Sequence, residues 1–236
     1  VKGSYTFDLF VAELFVTLGA GKTAAILSAG DERDPKLLAA ALREMQVTDL
    51  WATPTHLRML LDAEEAFSDT LRNVYCGGEA LSPSTFWALE ESNIRLWNLY
   101  GVTEMTIGQT GALLVPELIG DAIPIGVSYP GYDVDVVDET GHSCAEGWEG
   151  EILISGAGEG RGYQGQPSKT ALAYMPDTKR AGGRVYTSGD RGYFHEGQLY
   201  YRGRDDGQLQ VRGVRVELGE IEHFLESHEA VARAGV

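Results

Sequence analysis

The sequence predicts an α/β protein in two parts. Residues 1–114 read as βα units layered around a largely parallel sheet, and residues 115–205 as a small antiparallel β-barrel-like unit. Three observations carry this. Short apolar or β-branched runs alternate with helix-like stretches as far as about Gly101, the pattern of βα units. Beyond about Leu114 helical periodicity gives way to Gly-rich text with short alternating runs, the pattern of antiparallel strands. With 236 residues, 43% apolar and 23% charged, the chain has ordinary globular composition and length for one or two domains.

In chain order, Asp8 to Leu18 carries Leu9, Phe10, Ala12, Phe15 and Val16 at helical spacing, with Gly19 and Gly21 as the stop. Strand-like runs follow at Thr23–Leu27, Val47–Trp51, Asn73–Cys76 and Ile94–Trp97. Helix-like stretches lie at Pro35–Met45, Thr55–Glu65 and Ser82–Ser92. Further on, alternating runs at Asp133–Val137, Glu151–Ser155, Val185–Thr187, Gln198–Tyr201 and Gln208–Val211 are separated by turn pairs such as Glu196-Gly197 and Asp206-Gly207. Residues 218–234 regain helical character, with Ile221, Phe224 and Leu225 on one stripe.

Composition narrows the function. The 35 Asp and Glu against 19 Lys and Arg give a formal charge of −16, and that field repels nucleic-acid phosphates and anionic lipid. Neither nucleic acid nor membrane is an expected partner. Two cysteines, Cys76 and Cys144, form no disulfide framework or metal spacing, which predicts a reducing, cytoplasmic setting. No apolar run reaches membrane-spanning length and no secretory leader is visible. Gly19-Ala20-Gly21-Lys22-Thr23 lacks the upstream glycine of a P-loop and leaves a helix instead of opening one, so it reads as a helix cap. The run Gly156 to Gly162 reads locally as a flexible loop. The five histidines have no metal or triad spacing.

Function comes from a combination of pieces. Phe7-Asp8 with Glu13, Gly77-Gly78-Glu79-Ala80, Asn98-Leu99-Tyr100-Gly101-Val102-Thr103-Glu104, Gly150-Glu151-Ile152, Gly160-Arg161-Gly162-Tyr163, Ser188-Gly189-Asp190 and the block from Gly203 to Glu222 occur in this order. Together they resemble the adenylate-forming superfamily, closest to the amino-acid adenylation domains of nonribosomal peptide synthetases. The resemblance covers nearly the whole chain. It implies ATP-dependent activation of an amino-acid carboxylate as an aminoacyl-adenylate with release of pyrophosphate. Thioester transfer to phosphopantetheine on a carrier domain would follow. It also implies that residues 206–236 are the hinge and the start of a small α+β C-terminal subdomain.

By the same resemblance, Thr103 would meet phosphate and Glu104 would bind Mg2+, a hard-oxygen pairing that suits magnesium. Tyr100 would stack on adenine and Asn98 would bond its edge, with Gly78, Glu79 and Ala80 as the wall of the ring site. Asp190 and Tyr201 belong to the nucleotide site; Asp190 would take the ribose hydroxyls, and Arg204 would supply a cation to ribose or phosphate. Asp206 matches the hinge. Asp8 would pair with the substrate's α-ammonium; the local sequence equally allows it to be a helix N-cap. Leu9, Ala12, Trp51, Tyr75, Gly77, Leu99, Ile107 and Gly108 would line the substrate pocket. None of these is charged, so an apolar or aromatic amino acid is expected.

The chain departs from the family pattern at Thr187, Ser188 and Gln210. Two other readings stay open: a stand-alone acyl- or aryl-CoA ligase, and a catalytically degenerate scaffold. The absence of an initiator Met suggests a piece of a longer polypeptide. The resemblance places a phosphate loop before residue 1 and a catalytic lysine after residue 236, so the piece alone is expected to be inactive.

Overall fold

A computed structural model describes the chain apart from residues 64–66, 205–207, 212–213, 218–220, 222–223, 226, 229–230, 232 and 236, with the backbone alone at 208–211, 214–215 and 217. The first helix runs α over Leu9–Val11, π over Ala12–Val16 and α again over Thr17–Gly19. Gly21, at φ +68°, ends it in the left-handed region, as the cap reading requires. Glu13 anchors this helix to the start of the chain. Its Oε2 accepts from the backbone N–H of Lys2 (2.9 Å) and Gly3 (2.8 Å), and the buried Lys2 Nζ lies 3.6 Å from Oε1.

Three helices begin on the polar-residue-plus-proline signal. Pro35–Glu44 is capped by Asp34, which accepts from the Lys36 and Leu37 amides, and Pro54–Asp62 by Thr53, which accepts from the His56 amide. Pro83–Trp87 follows Ser82 and is shorter than expected, because the Ser92 hydroxyl and amide both turn back onto the Leu89 carbonyl. Between them lie β1 (Asp49–Ala52), β2 (Asn73–Gly77) and β3 (Arg95–Tyr100), all parallel. Their buried face, with Leu50, Val74, Cys76 and Leu96, packs on Leu38, Leu42, Leu57 and Leu60 of the helices in one apolar core.

The chain then turns antiparallel: β4 (Thr110–Leu113), β5 (Pro124–Ser128), β6 (Tyr132–Val137), β7 (Gly150–Gly156), β8 (Tyr174–Pro176), β9 (Arg184–His195) and β10 (Gln198–Arg204). The strand order is β1-β2-β3-β4-β5-β10-β9-β7-β6, with β8 on β9. The later strands enclose a second core of Met105, Ile125, Val136, Ile152, Ile154, Tyr186 and Leu199. β11 (Gln208–Val211) and β12 (Val214–Glu217) form a separate hairpin.

Several expectations need correction. Thr23–Leu27 is no strand; it bonds Val1, the Leu27 amide donating to the Val1 carbonyl at 3.1 Å. β4 and β5 were not foreseen because glycine hides them: a Cβ on Gly126 would fall 2.0 Å from the Gly111 backbone, so close approach selects residues of low strand propensity. Helices do not vanish beyond Leu114, since Pro167–Ala173 is one. Asp206, expected to be the hinge, and most of the expected 218–234 helix lie outside the described residues. Ile221, Phe224 and Leu225 are exposed.

Candidate functional site

The C-terminal ends of β2 and β3 carry most of the expected residues, the edge of an open α/β sheet where ligands bind. A Cβ on Gly77 would lie 2.8 Å from the Leu99 carbonyl oxygen, so glycine allows the strands to close there. Gly78 follows at φ +84°, with open space for 4 Å around the point where a Cβ would stand, and leaves an open ledge. Glu79 ties this ledge to the Pro54–Asp62 helix. Its Oε2 accepts from the Thr55 amide (3.0 Å) and hydroxyl (2.6 Å), while Oε1 is buried without a hydrogen-bond partner. Ala80 is exposed beside it.

Residues 101–108 form a loop closed on itself: a Cβ on Gly101 would sit 2.0 Å from the Ile107 carbonyl oxygen. Thr106 (φ 65°) and Ile107 (φ 62°) are both left-handed, a costly state for β-branched residues. This loop presents Thr103 and Glu104. The Thr103 hydroxyl donates to the Asp8 carboxylate across 95 residues of sequence. Asp8 makes no side-chain cap bond, so its N-cap reading is set aside.

Glu104 is held from three sides. Tyr163 OH donates to its Oε1 (2.8 Å), and its carbonyl accepts from Tyr174 OH (2.9 Å) and the Gly160 amide (2.8 Å). Burial, and then the Glu104 carboxylate, push the Tyr174 phenol up to about 12, which keeps it a donor. The run Gly156 to Gly162 is a loop but a packed one. Cβ atoms on Gly158 and Gly160 would meet the Met105 carbonyl oxygen at 2.5 Å and the Glu104 carbonyl oxygen at 2.7 Å, and Thr106 Oγ1 donates to the Gly158 carbonyl at 2.7 Å. The expected flexible loop is a fitted wall.

A third cluster sits where β3 meets β9 and β10. Tyr100 OH donates to Asp190 Oδ2 (2.5 Å), and Arg204 donates to Asp190 Oδ1 (2.7 Å). Asp190 is 4% exposed. Burial, with the Asp190 charge adding to it, raises the Tyr100 pKa well above its usual value, so this phenol stays protonated. The Tyr201 ring lies 6.2 Å from that of Tyr100. The Ser188 hydroxyl donates to the Ile152 carbonyl (2.6 Å) and accepts from the Asp190 amide (3.0 Å); serine at this departure from the family pattern therefore supports the Asp190 backbone. The Asn98 amide is committed elsewhere than a base edge: Nδ2 donates to the Pro124 carbonyl at 2.9 Å, joining β3 to β5.

The residues expected to line the pocket are partly gathered by strand register. Trp51, Tyr75 and Trp97 are paired across β1-β2-β3, as are Gly77, Leu99 and Gly111 across β2-β3-β4. These residues alternate with those that enter the first core, so they share the opposite face. Trp51 and Tyr75 stack at 4.7 Å, and Tyr75 and Trp97 at 6.1 Å. Ile107 and Gly108 belong to the loop above. Leu9 and the buried Ala12 follow Asp8 on the first helix.

Sequence reading assigned no role to Trp97, Gln109, Tyr129, Tyr163 or Tyr174. The Tyr129 hydroxyl covers Gly111, and its Cε2 is 3.8 Å from a Cβ placed on Gly108. Tyr163 stood inside a quoted motif, and that was its one visible signal. Among the described residues no three His, Cys, Asp or Glu could together hold a metal, and no helix is long and apolar enough to cross a membrane.

Comparison with known proteins shows the fold and the family. The chain is 39% identical over 231 residues to the phosphinothricin tripeptide synthetase PhsB of Streptomyces viridochromogenes, covering 96% of the chain and 19% of that protein. It superposes on PA1221, described as an NRPS protein containing adenylation and PCP domains, with a TM-score of 0.88 and 29% identity, over 97% of this chain and 47% of that one. It also superposes on the Vibrio cholerae adenylation domain AlmE in complex with glycyl-adenosine-5′-phosphate, with a TM-score of 0.86 and 28% identity, over 96% and 44%. The chain spans less than half the length of each of these three. The family model described as AMP-binding enzyme matches residues 3–164, a span that contains Asp8, the 77–80 ledge, the Thr103–Glu104 loop and the glycine wall, and the chain belongs to that family.

Proposed function

We propose that this chain is the central part of an amino-acid adenylation domain of a peptide synthetase, with 1–114, 115–205 and 206–236 as successive parts of its large and C-terminal subdomains. In the reaction the amino-acid carboxylate oxygen bonds to the α-phosphorus of ATP and the bond to pyrophosphate breaks. The thiol of a carrier-borne phosphopantetheine then attacks the acyl carbon, and AMP leaves. The observation that carries the reading is that the Asp8–Thr103, Tyr100–Asp190 and Glu104–Tyr163 bonds, spanning 59 to 95 residues, converge on the end of β3 and its following loop, with Arg204 on Asp190. The relatives support it: PhsB is named a tripeptide synthetase, and AlmE holds an aminoacyl-adenylate.

Asp8 is the anion for the substrate ammonium, and its contact with Thr103 sets that ammonium beside the hydroxyl that meets phosphate. Tyr100 offers a ring to adenine against the Gly78–Ala80 ledge. Asp190, held by Arg204 and Tyr100, is the carboxylate for the ribose hydroxyls, and Tyr201 backs the Tyr100 ring. The residues suit Mg2+, which binds through one or two carboxylates and substrate phosphates instead of a full protein cage; Glu104 would hold it, and it would offset phosphate charge. Asn98 fixes the strand that carries Tyr100. The Trp51, Tyr75, Gly77 and Leu99 face, with Leu9, Ala12, Ile107 and Gly108, favours an apolar or aromatic amino acid. The partners are a carrier domain and neighbouring synthetase domains, in the cytoplasm.

Asp8→Ala in the full-length protein tests this. Amino-acid-dependent pyrophosphate exchange should disappear while ATP binding persists. Unchanged exchange, or exchange driven by aryl or fatty acids, would replace the reading with a CoA ligase. In the unmutated full-length protein, ATP binding with no adenylate from any acid would leave a scaffold.

A further inference from the structure

We infer that Gln109 is a positioning residue that sets the loop bearing Thr103 and Glu104. The inference rests on the functional reading of those two residues, yet concerns a side chain outside it. Gln109 is fully buried, at 0% exposure. Its Oε1 accepts from the Val102 amide at 2.7 Å, and its Nε2 donates to the Met105 carbonyl at 2.8 Å. Its own backbone N–H donates to the Tyr100 carbonyl, and its carbonyl accepts from the Tyr129 amide, each at 2.9 Å. One side chain thus bridges the backbone just before Thr103 and just after Glu104, while its main chain is clamped between β3 and Tyr129.

The loop needs such a bridge. Two successive β-branched residues, Thr106 and Ile107, stand at positive φ, a state the surroundings must impose. A primary amide offers both an acceptor oxygen and an NH2 donor group, and the loop interior uses each once. Leucine has similar bulk and neither group. Ionised glutamate has the acceptor without the donor. Tyr132 OH also donates to the Met105 carbonyl at 2.9 Å, so in Gln109→Leu that carbonyl stays partnered and the Val102 amide loses its acceptor, whereas in Gln109→Glu an ionised carboxylate keeps the Val102 bond but sets an acceptor oxygen against the Met105 carbonyl. No hydrogen bond joins the Gln109 side chain to Thr103 or Glu104 among the described contacts, so its influence passes through the backbone.

The test compares Gln109→Leu, Gln109→Glu and Glu104→Gln with wild type in the full-length protein. Pyrophosphate exchange is read against Mg2+ concentration and pH, with amide hydrogen exchange over residues 102–108. Gln109→Leu should lower exchange turnover at least tenfold, since small misplacements of reacting groups cost that much or more. It should also raise the half-saturating Mg2+ and speed hydrogen exchange in the loop while β1–β3 stay protected. Gln109→Glu should regain activity relative to wild type as pH falls, because a protonated carboxyl can donate to Met105 again; Gln109→Leu should show no such recovery. If Gln109→Leu does not fold, the glutamate variant makes the comparison within one protein.

Loop protection and Mg2+ requirement within twofold of wild type in Gln109→Leu, or a pH-independent deficit in Gln109→Glu, would overturn the inference. A normal Glu104→Gln would overturn the functional reading instead, and loop exchange would still decide whether Gln109 holds the loop.

Discussion

Replacing Glu104 by glutamine isolates the charge that the proposed metal site requires. The carboxylate accepts from Tyr163 through Oε1, and the Glu104 backbone is fixed independently by Tyr174 and Gly160. Glutamine keeps the volume, the backbone contacts and an acceptor for Tyr163. Among the described contacts of the carboxylate, the hydrogen bond from Tyr163 goes from charge-assisted to neutral. These contribute about 1.5–3 and about 0.5–1.5 kcal/mol respectively, so the cost is about 1 kcal/mol. In a chain of this length that is a Tm shift of about 2–4 °C.

The expected cost to the reaction is larger. Loss of a group supporting a metal typically lowers affinity or activity about tenfold to a hundredfold, or about 1.4–2.7 kcal/mol of barrier. Amino-acid-dependent pyrophosphate exchange over a Mg2+ titration separates the two effects. The variant should need more Mg2+ and recover part of its rate at saturation, with Tm nearly unchanged. Wild-type exchange at low Mg2+ would refute the assignment and with it the nucleotide site around Asn98 to Glu104. A rate loss in proportion to a large fall in Tm would show that Glu104 serves packing alone.

Tyr100→Phe keeps the ring but removes the hydroxyl from Asp190, and should cost about 1.5–3 kcal/mol of stability. Arg204→Ala removes a cation bonded to that buried carboxylate and should cost about 3–5 kcal/mol. Thermal melts of the two variants and their combination should give less than the sum, since both act on one carboxylate; strict additivity would contradict the shared contact. Burial, with Glu79 adding to it, raises the Cys76 thiol to about 12 from an ordinary 9.0. The folded state therefore holds a proton that the unfolded state releases. This stability is complete below about pH 9 and is lost as pH rises toward 12, in total about 4 kcal/mol at about 1.36 kcal/mol per pH unit. The Tm of wild type should fall more steeply between pH 9 and 11 than that of Cys76→Ala; parallel curves would contradict it.

The helices of the first part and the parallel strands β1 to β3 were legible because each rests on local chemistry, whereas the Pro167–Ala173 helix was not foreseen. Asp34-Pro35 and Thr53-Pro54 are start signals that the structure uses as caps, and runs such as Asn73–Cys76 alternate between core and opposite face. β4 and β5 were illegible for the opposite reason. Gly111 and Gly126 sit there because the strands approach closely, a tertiary demand that lowers strand propensity. The same logic misled the reading of Gly156 to Gly162. Glycine signals freedom when read alone, yet Gly158 and Gly160 are small because Met105 and Glu104 press on them.

The site divides along the same line. Its motif residues were visible as text, but what holds them was not, since Tyr163 reaches Glu104 across 59 residues and Asp8 reaches Thr103 across 95. The structural reason lies in the path of the chain. Leu96 enters the first core, Met105 the second, and Ala112, Leu114 and Ile123 the first again, so the segment from Tyr100 to Gln109 is where the polypeptide crosses into the second core and turns back. A segment making that passage cannot follow the periodicity of either side, and its left-handed residues and self-closing loop carry no pattern that spacing can detect. Its groups are also fixed by both cores at once, with Tyr163, Tyr174 and Asp190 arriving from the antiparallel strands and their loops, and Asp8 and Gly77 from the helical side. A site assembled in this way should lose geometry when either core is loosened, which is why the variants above are chosen to alter hydrogen-bonding groups or charge while both cores stay filled.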